Sequence, residues 1–162
     1  MSGQPLSHRH HLGTGVVLVL LGGVLGTLLR YGVESLLPPR DGFPWGTLTA
    51  NVTGAFALGA LLETLAQRGP ESRVGRRIRL VVGTGVLGGY TTYSTYAVEA
   101  DRLLAGGEGF LTAAYVGLTL LAGLGAAAAG VWLAAGRRLV AEGQEPVDPD
   151  TDRSEWSDQE DG

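Results

Sequence analysis

The chain contains no cysteine, so disulfides and thiolate metal sites are excluded. It is equally short of charge in the places where a soluble helical protein needs it. No charged residue occurs in the stretches 12–29, 42–62, 80–98 or 109–136, each 18 residues or longer. A soluble bundle of buried helices would still show a charged face about every 3.6 residues, and none appears. Nor do these stretches hold a nucleophile–base pair or a metal-ligand cluster, which argues against an enzyme. An ionisable residue at membrane depth, as a proton-coupled transporter needs, is also lacking, because Arg30, Glu63 and Glu99 fall at the ends of the stretches. Nothing points to nucleic acid.

What is present is apolar and blocked. A helix spanning a bilayer needs roughly 17–25 apolar residues, so the four stretches predict an all-α integral membrane protein with four transmembrane helices in one domain. The first runs from about Gly13 to Gly32 and the second from Trp45, an interfacial anchor, to Leu65. The third covers 80–98, and the fourth ends near Ala135 before Arg137 and Arg138. The first stretch is long and lacks an A-x-A-like site, which argues against a cleaved signal peptide. The predicted organisation is a polar lead over 1–11, a transmembrane channel domain over 12–136 and an acidic, disordered tail over 137–162. In the lead, His8, His10 and His11 suggest either a metal cluster or, more simply, a solvated terminus. The 27 glycines suit close helix contacts in a membrane. Gly22, Gly23 and Gly26, then Gly54 and Gly59, then Gly117, Gly123 and Gly125 are expected at such contacts.

Arginines set an orientation. Arg9, the loop residues Arg68, Arg73, Arg76, Arg77 and Arg79, and then Arg137 and Arg138 lie on one side; Arg40 and Arg102 lie on the other. By the positive-inside rule this is a multi-pass cell-membrane protein with both termini cytoplasmic. So lopsided a distribution also predicts insertion in one orientation only.

The third stretch carries Gly88-Gly89-Tyr90-Thr91-Thr92-Tyr93-Ser94-Thr95-Tyr96. Gly88-Gly89 is the expected break near the helix midpoint. A break frees backbone groups that protein, water or an ion must satisfy, and freed carbonyls suit a hard cation such as Na⁺. Tyr90, Tyr93 and Tyr96 are expected on one face, flanked by Thr91, Ser94 and Thr95. Ring edges are positive, so such a face can replace part of an anion's hydration shell; plain helix packing is the competing reading. Asn51, the one amide in the four stretches, is either interhelical glue or a ligand, with Thr47 one turn before it. Tyr115 and Thr119 share a face of the fourth helix. Arg30 either snorkels or lines a vestibule, and Glu99 continues the tyrosine face.

Gly22-Gly23-Val24-Leu25-Gly26-Thr27-Leu28-Leu29-Arg30-Tyr31, then Gly46-Thr47-Leu48 with Asn51 and Gly54, then the Gly88–Tyr96 motif resemble the Fluc (CrcB) fluoride channels, in order, over about 22–136. The resemblance implies a passive channel exporting cytoplasmic fluoride and so lowering its toxicity. It implies antiparallel dimers with a structural, non-transported Na⁺ at the centre, held by main-chain oxygens of Gly88 and Thr91. Fluoride would meet Tyr93, Tyr96, Asn51, Thr47, Ser94, Thr95, Tyr115 and Thr119, with Arg30 and Glu99 at the vestibule. The chain departs from the family pattern in having Tyr93 and Tyr96 where phenylalanine is usual. Combined with the arginine asymmetry, the implied partner is a homologous subunit of opposite topology, or failing that a second copy. The alternative is a non-conducting membrane scaffold.

Overall fold

A computed structural model describes the backbone of residues 7–69 and 72–142, and side chains within 13, 15–69 and 72–136. The elements are α1 (Ser7–Leu36), α2 (Trp45–Ala66), α3 (Arg73–Ile78), a π-helical stretch (Arg79–Leu87), α4 (Gly88–Tyr90), α5 (Tyr93–Ala105) and α6 (Gly109–Glu142). Among the described residues three helices are long and apolar enough to cross a membrane: α1 over Gly15–Leu36, α2 over Trp45–Ala66 and α6 over Gly109–Gly136. Leucines and valines on α1 and α6 lie more than half exposed, among them Leu20, Leu21, Leu28, Leu120, Leu121 and Leu124. An apolar face of that extent is untenable in water and ordinary in lipid. The protein is an all-helical membrane protein.

Several predicted boundaries move. The first helix begins in the expected polar lead, at Ser7, and continues past Arg30 to Leu36. The last helix passes through the Arg137–Arg138 pair to Glu142, because arginine is a good helix former and does not stop a helix. The rest of the predicted tail, and the side chains of His8, His10 and His11, lie outside the described residues. The basic loop is partly helical. Ser72 caps α3 by accepting the Gly75 N–H at 3.0 Å, so Arg73, Arg76 and Arg77 sit on a short helix.

The third stretch differs most. It is not one α-helix with a glycine break. Nine residues, Arg79–Leu87, are π-helical, a wider winding that is rare and often marks functional sites. Gly88 and Gly89 then stay helical, and the chain breaks at Thr91 (φ −82°, ψ 153°) and Thr92 (φ −144°, ψ 126°). Two adjacent β-branched residues favour this extended backbone. The glycines serve another purpose: a Cβ on Gly89 would strike the Gly23 carbonyl of α1, and one on Gly22 would lie 2.6 Å from the Val81 oxygen.

The pairings fix the layout. Gly22 meets Val81 and Gly26 meets Val86, so α1 and the π stretch run in parallel. Gly46 approaches Glu34 as the chain turns back from α1 into α2. Thr47 near the start of α2 and Tyr115 near the start of α6 both bond Glu99, and further along Gly59 abuts Ala127, so α2 and α6 are also parallel and their C-terminal ends lie at the same end of the bundle. The expectation for Gly22, Gly23, Gly26, Gly54 and Gly59 holds. Gly117, Gly123 and Gly125 have open space around them instead, and on α6 it is Gly130 that makes the close contact. The buried cluster of Phe43, Leu48, Tyr96 and Tyr115 lies at the opposite end, where the turn before α2 meets α5 and α6.

Candidate ion site and pore lining

The break is held by side chains from three elements. Asn51 on α2 reaches Thr92 with both ends of its amide: Oδ1 accepts the Thr92 N–H at 2.8 Å, and Nδ2 donates to the Thr92 carbonyl at 3.0 Å. Thr92 then caps α5, its hydroxyl accepting the Thr95 N–H at 3.2 Å. In an uninterrupted α-helix the Thr92 N–H would bond Gly88 O, and the Thr95 N–H would bond Thr91 O. Both donors are diverted. The two carbonyls expected to face a cation are thus those that lose their helical partners at the break, and their donor set, neutral oxygen without protons, fits a hard cation.

Arg30 sits against the same break. Its Nε donates to Gly89 O at 3.4 Å, and its Nη1 donates to the Thr95 hydroxyl at 3.4 Å and to Glu34 at 3.2 Å. Because α1 continues for another turn and a half, Arg30 lies within a helix, partly buried and paired with Glu34, not at a helix end.

Below the break the aromatic residues form a column. Tyr93 and Tyr96 have ring centroids 5.9 Å apart, Tyr96 and Tyr115 5.3 Å, and Tyr115 meets Phe43 edge-on at 5.5 Å. Tyr115 is fully buried, whereas Tyr93 is 81% exposed and available to something outside this chain. Tyr90 does not belong to the column. It precedes the break, so the three-residue spacing no longer counts turns of one helix, and its hydroxyl shares a 2.9 Å bond with Thr53.

Glu99 gathers the hydroxyls beside this column. Thr47 donates to one carboxylate oxygen at 2.9 Å and Tyr115 to the other at 2.8 Å. Those two hydroxyls are therefore engaged, and Tyr115 presents ring edges to its surroundings. Asn51 has two amide protons and spends one on Thr92, leaving one to offer. Ser94 is exposed, with its hydroxyl 3.3 Å from that of Thr92. Thr119, one turn beyond Tyr115, is buried, and its hydroxyl has no hydrogen-bond partner. A buried polar atom without a partner costs about 1–3 kcal/mol, so a hydrogen-bonding group brought to this hydroxyl would be favoured.

Of the residues expected along the polar track, Thr47 and Tyr115 meet on Glu99 and Tyr93, Tyr96 and Tyr115 are in ring contact, whereas Asn51 and Arg30, expected in the pore and the vestibule, bond the break itself. Sequence reasoning missed Thr92, whose signal was a hydroxyl residue directly before a helix, and Phe43, whose place depends on tertiary packing alone.

Residues 17–131 match the family model described as CrcB-like protein, Camphor Resistance (CrcB). The chain belongs to the CrcB family. It is 50% identical over 109 residues to "Fluoride-specific ion channel FluC 1" of Cutibacterium acnes, an alignment covering 67% of this chain and 76% of that protein. It is 44% identical over 131 residues to "Fluoride-specific ion channel FluC 2" of Leifsonia xyli subsp. xyli, covering 79% and 87%. To "Fluoride-specific ion channel FluC" of Hyphomonas neptunium it is 39% identical over 130 residues, covering 78% and 98%. These CrcB relatives are channels by name, and the chain is not an enzyme. The CrcB match spans α2, the broken segment and most of α1 and α6, so the break and the aromatic column both lie inside it.

Proposed function

We propose that this chain is one subunit of a fluoride-selective channel through which cytoplasmic fluoride leaves passively. The observation that carries the reading is the orphaned Thr119 hydroxyl on a column of aromatic rings; the relatives' names supply the anion. Fluoride accepts hydrogen bonds strongly and is small. Ring edges of Tyr93, Tyr96 and Tyr115 and the protons of Asn51, Ser94, Thr95 and Thr119 can each replace a hydration contact. None of them carries a fixed positive charge that would hold the ion too tightly to leave. Thr47 and Glu99 position Tyr115, and Arg30, balanced by Glu34, stands beside the entrance.

In this reading α3 to α5 together form a fourth crossing, broken at Thr91–Thr92, and the functional unit is an antiparallel dimer. Main-chain oxygens of Gly88 and Thr91 hold a structural Na⁺ at its centre, which supplies positive charge where two broken helices meet. The exposed Tyr93 then faces the partner. Eight arginines on one side against two on the other support insertion with both termini cytoplasmic, and hence a homologous partner of opposite topology in preference to a second copy.

Liposome efflux, read separately for fluoride and chloride with this chain alone and with such a partner, tests the reading. Thr119→Val removes the hydroxyl and keeps the shape. We expect fluoride flux to fall at least tenfold with folding stability unchanged or raised. Unchanged fluoride flux removes Thr119 from the path, and no flux under any pairing favours a non-conducting scaffold.

A further inference from the structure

Three arginines stand in a row outside the membrane-spanning segments. Arg73, Arg76 and Arg77 lie on α3, Arg68 lies just before it, and all four are exposed. The Arg30–Glu34 ion pair lies elsewhere in the fold. A ridge of like charge of this kind has a strong demand for counter-charge.

The same chain carries that counter-charge. Residues 142–162 hold nine carboxylates against one arginine; without them the remainder of the chain is net +4 instead of −4. Their point of departure is fixed by the fold. Because α2 and α6 run parallel, with Thr47 and Tyr115 meeting on Glu99 near their starts and Gly59 on Ala127 further along, the end of α6 at Glu142 emerges at the end of the bundle that bears α3. Counted from Gly59 on Ala127, α6 overruns α2 by roughly 12 Å at 1.5 Å per residue. The twenty residues after Glu142 can span several times that distance even when not fully extended.

We propose that the acidic segment 142–162 lies across Arg68, Arg73, Arg76 and Arg77 of its own chain. The segment is an intramolecular cover that keeps the ridge from anionic lipid headgroups. The cover is electrostatic and therefore responsive to salt: the Debye length falls from about 10 Å at ~0.1 M to about 3 Å at ~1 M. It requires nothing of the pore and stands whether or not the chain conducts.

The absence of native cysteine makes the test direct. Spin labels are placed on the full chain at Val74→Cys, an exposed position on α3, and at Ser157→Cys, in phosphatidylcholine vesicles, and the interlabel distance is read by double electron–electron resonance. We expect a short, narrow distribution at ~0.1 M salt that lengthens and broadens at ~1 M. The same lengthening is expected at low salt in the triple variant Arg73→Gln/Arg76→Gln/Arg77→Gln, and when Asp148, Asp150, Asp152, Glu155 and Asp158 are changed to their amides. A distribution that is broad from the start, or one indifferent to both sets of substitutions, overturns the proposal. So does a long distance accompanied by protection of the Val74 label only when phosphatidylglycerol is added, since lipid would then be the occupant.

Discussion

Replacing Asn51 with alanine isolates the clamp at the helix break. The amide contributes two hydrogen bonds to the Thr92 backbone, at 2.8 and 3.0 Å, and alanine removes both while leaving α2 intact. Interhelical hydrogen bonds in membranes average about 0.6 kcal/mol and reach about 1.7. The two together are therefore worth about 1–3 kcal/mol, and more if the Thr92 groups find no substitute, since a buried unpaired group costs about 1–3 kcal/mol. One substitute is at hand: the released Thr92 N–H can return to Gly88 O and continue the helix through the break. That relaxation would limit the loss of stability and at the same time occupy a carbonyl expected to face Na⁺. The assay is paired. Denaturant unfolding of the purified protein should show a loss of about 1–3 kcal/mol, and fluoride efflux from liposomes should fall with it. In addition, Thr92→Val, which removes the cap on the Thr95 N–H, should combine sub-additively with Asn51→Ala, because both act on one break. A fall in flux with no change in the unfolding midpoint and full additivity would refute the clamp and leave Asn51 with the anion alone.

Glycine contacts give a sharp contrast on one helix. A Cβ at Gly130 would collide with Phe56 O of α2, whereas Gly123 and Gly125 have nothing nearby; Gly130→Ala should cost about 1–3 kcal/mol, the usual overpacking range, while Gly123→Ala and Gly125→Ala in the isolated subunit should be neutral or slightly stabilising, all read by unfolding in detergent. Tyr115→Phe leaves one Glu99 oxygen without its 2.8 Å donor and should destabilise by about 1–3 kcal/mol. Glu99→Gln removes an acceptor from either Thr47 or Tyr115 and should do the same, and the double variant should lose less than the sum of the two, as measured in a double-mutant cycle. Tyr90→Phe removes only the exposed bond to Thr53 and should leave fluoride flux unchanged, whereas Tyr96→Ala, which removes a ring of the column, should lower it.

How much of this was legible in the sequence depended on how local each cause is. Three spans could be read from blocked hydropathy because the bilayer imposes its length on every uninterrupted run. The third stretch could not be read in the same way, because its glycines had two possible uses and only the neighbouring helix chooses between them. Gly88-Gly89 looks like a weak point in isolation. Against Gly23 of α1, Gly89 is a point of close approach that depends on the helix staying intact. The break falls three residues later, where Thr91 and Thr92 lean to extended backbone and Asn51, forty-one positions away, supplies the bonds that make extension affordable at membrane depth. Moving the break also removed Tyr90 from the tyrosine face, since periodicity counts only within one continuous helix. Yet the Gly88 and Thr91 carbonyls still lose their donors. An α-helix joins each carbonyl to the N–H four residues on, so diverting the N–H groups of Thr92 and Thr95 strips the carbonyls of Gly88 and Thr91 even though Gly88 itself remains helical. The expected cation site therefore does not require the glycine to be the break; it requires a polar clamp one turn further along, and that clamp is Asn51.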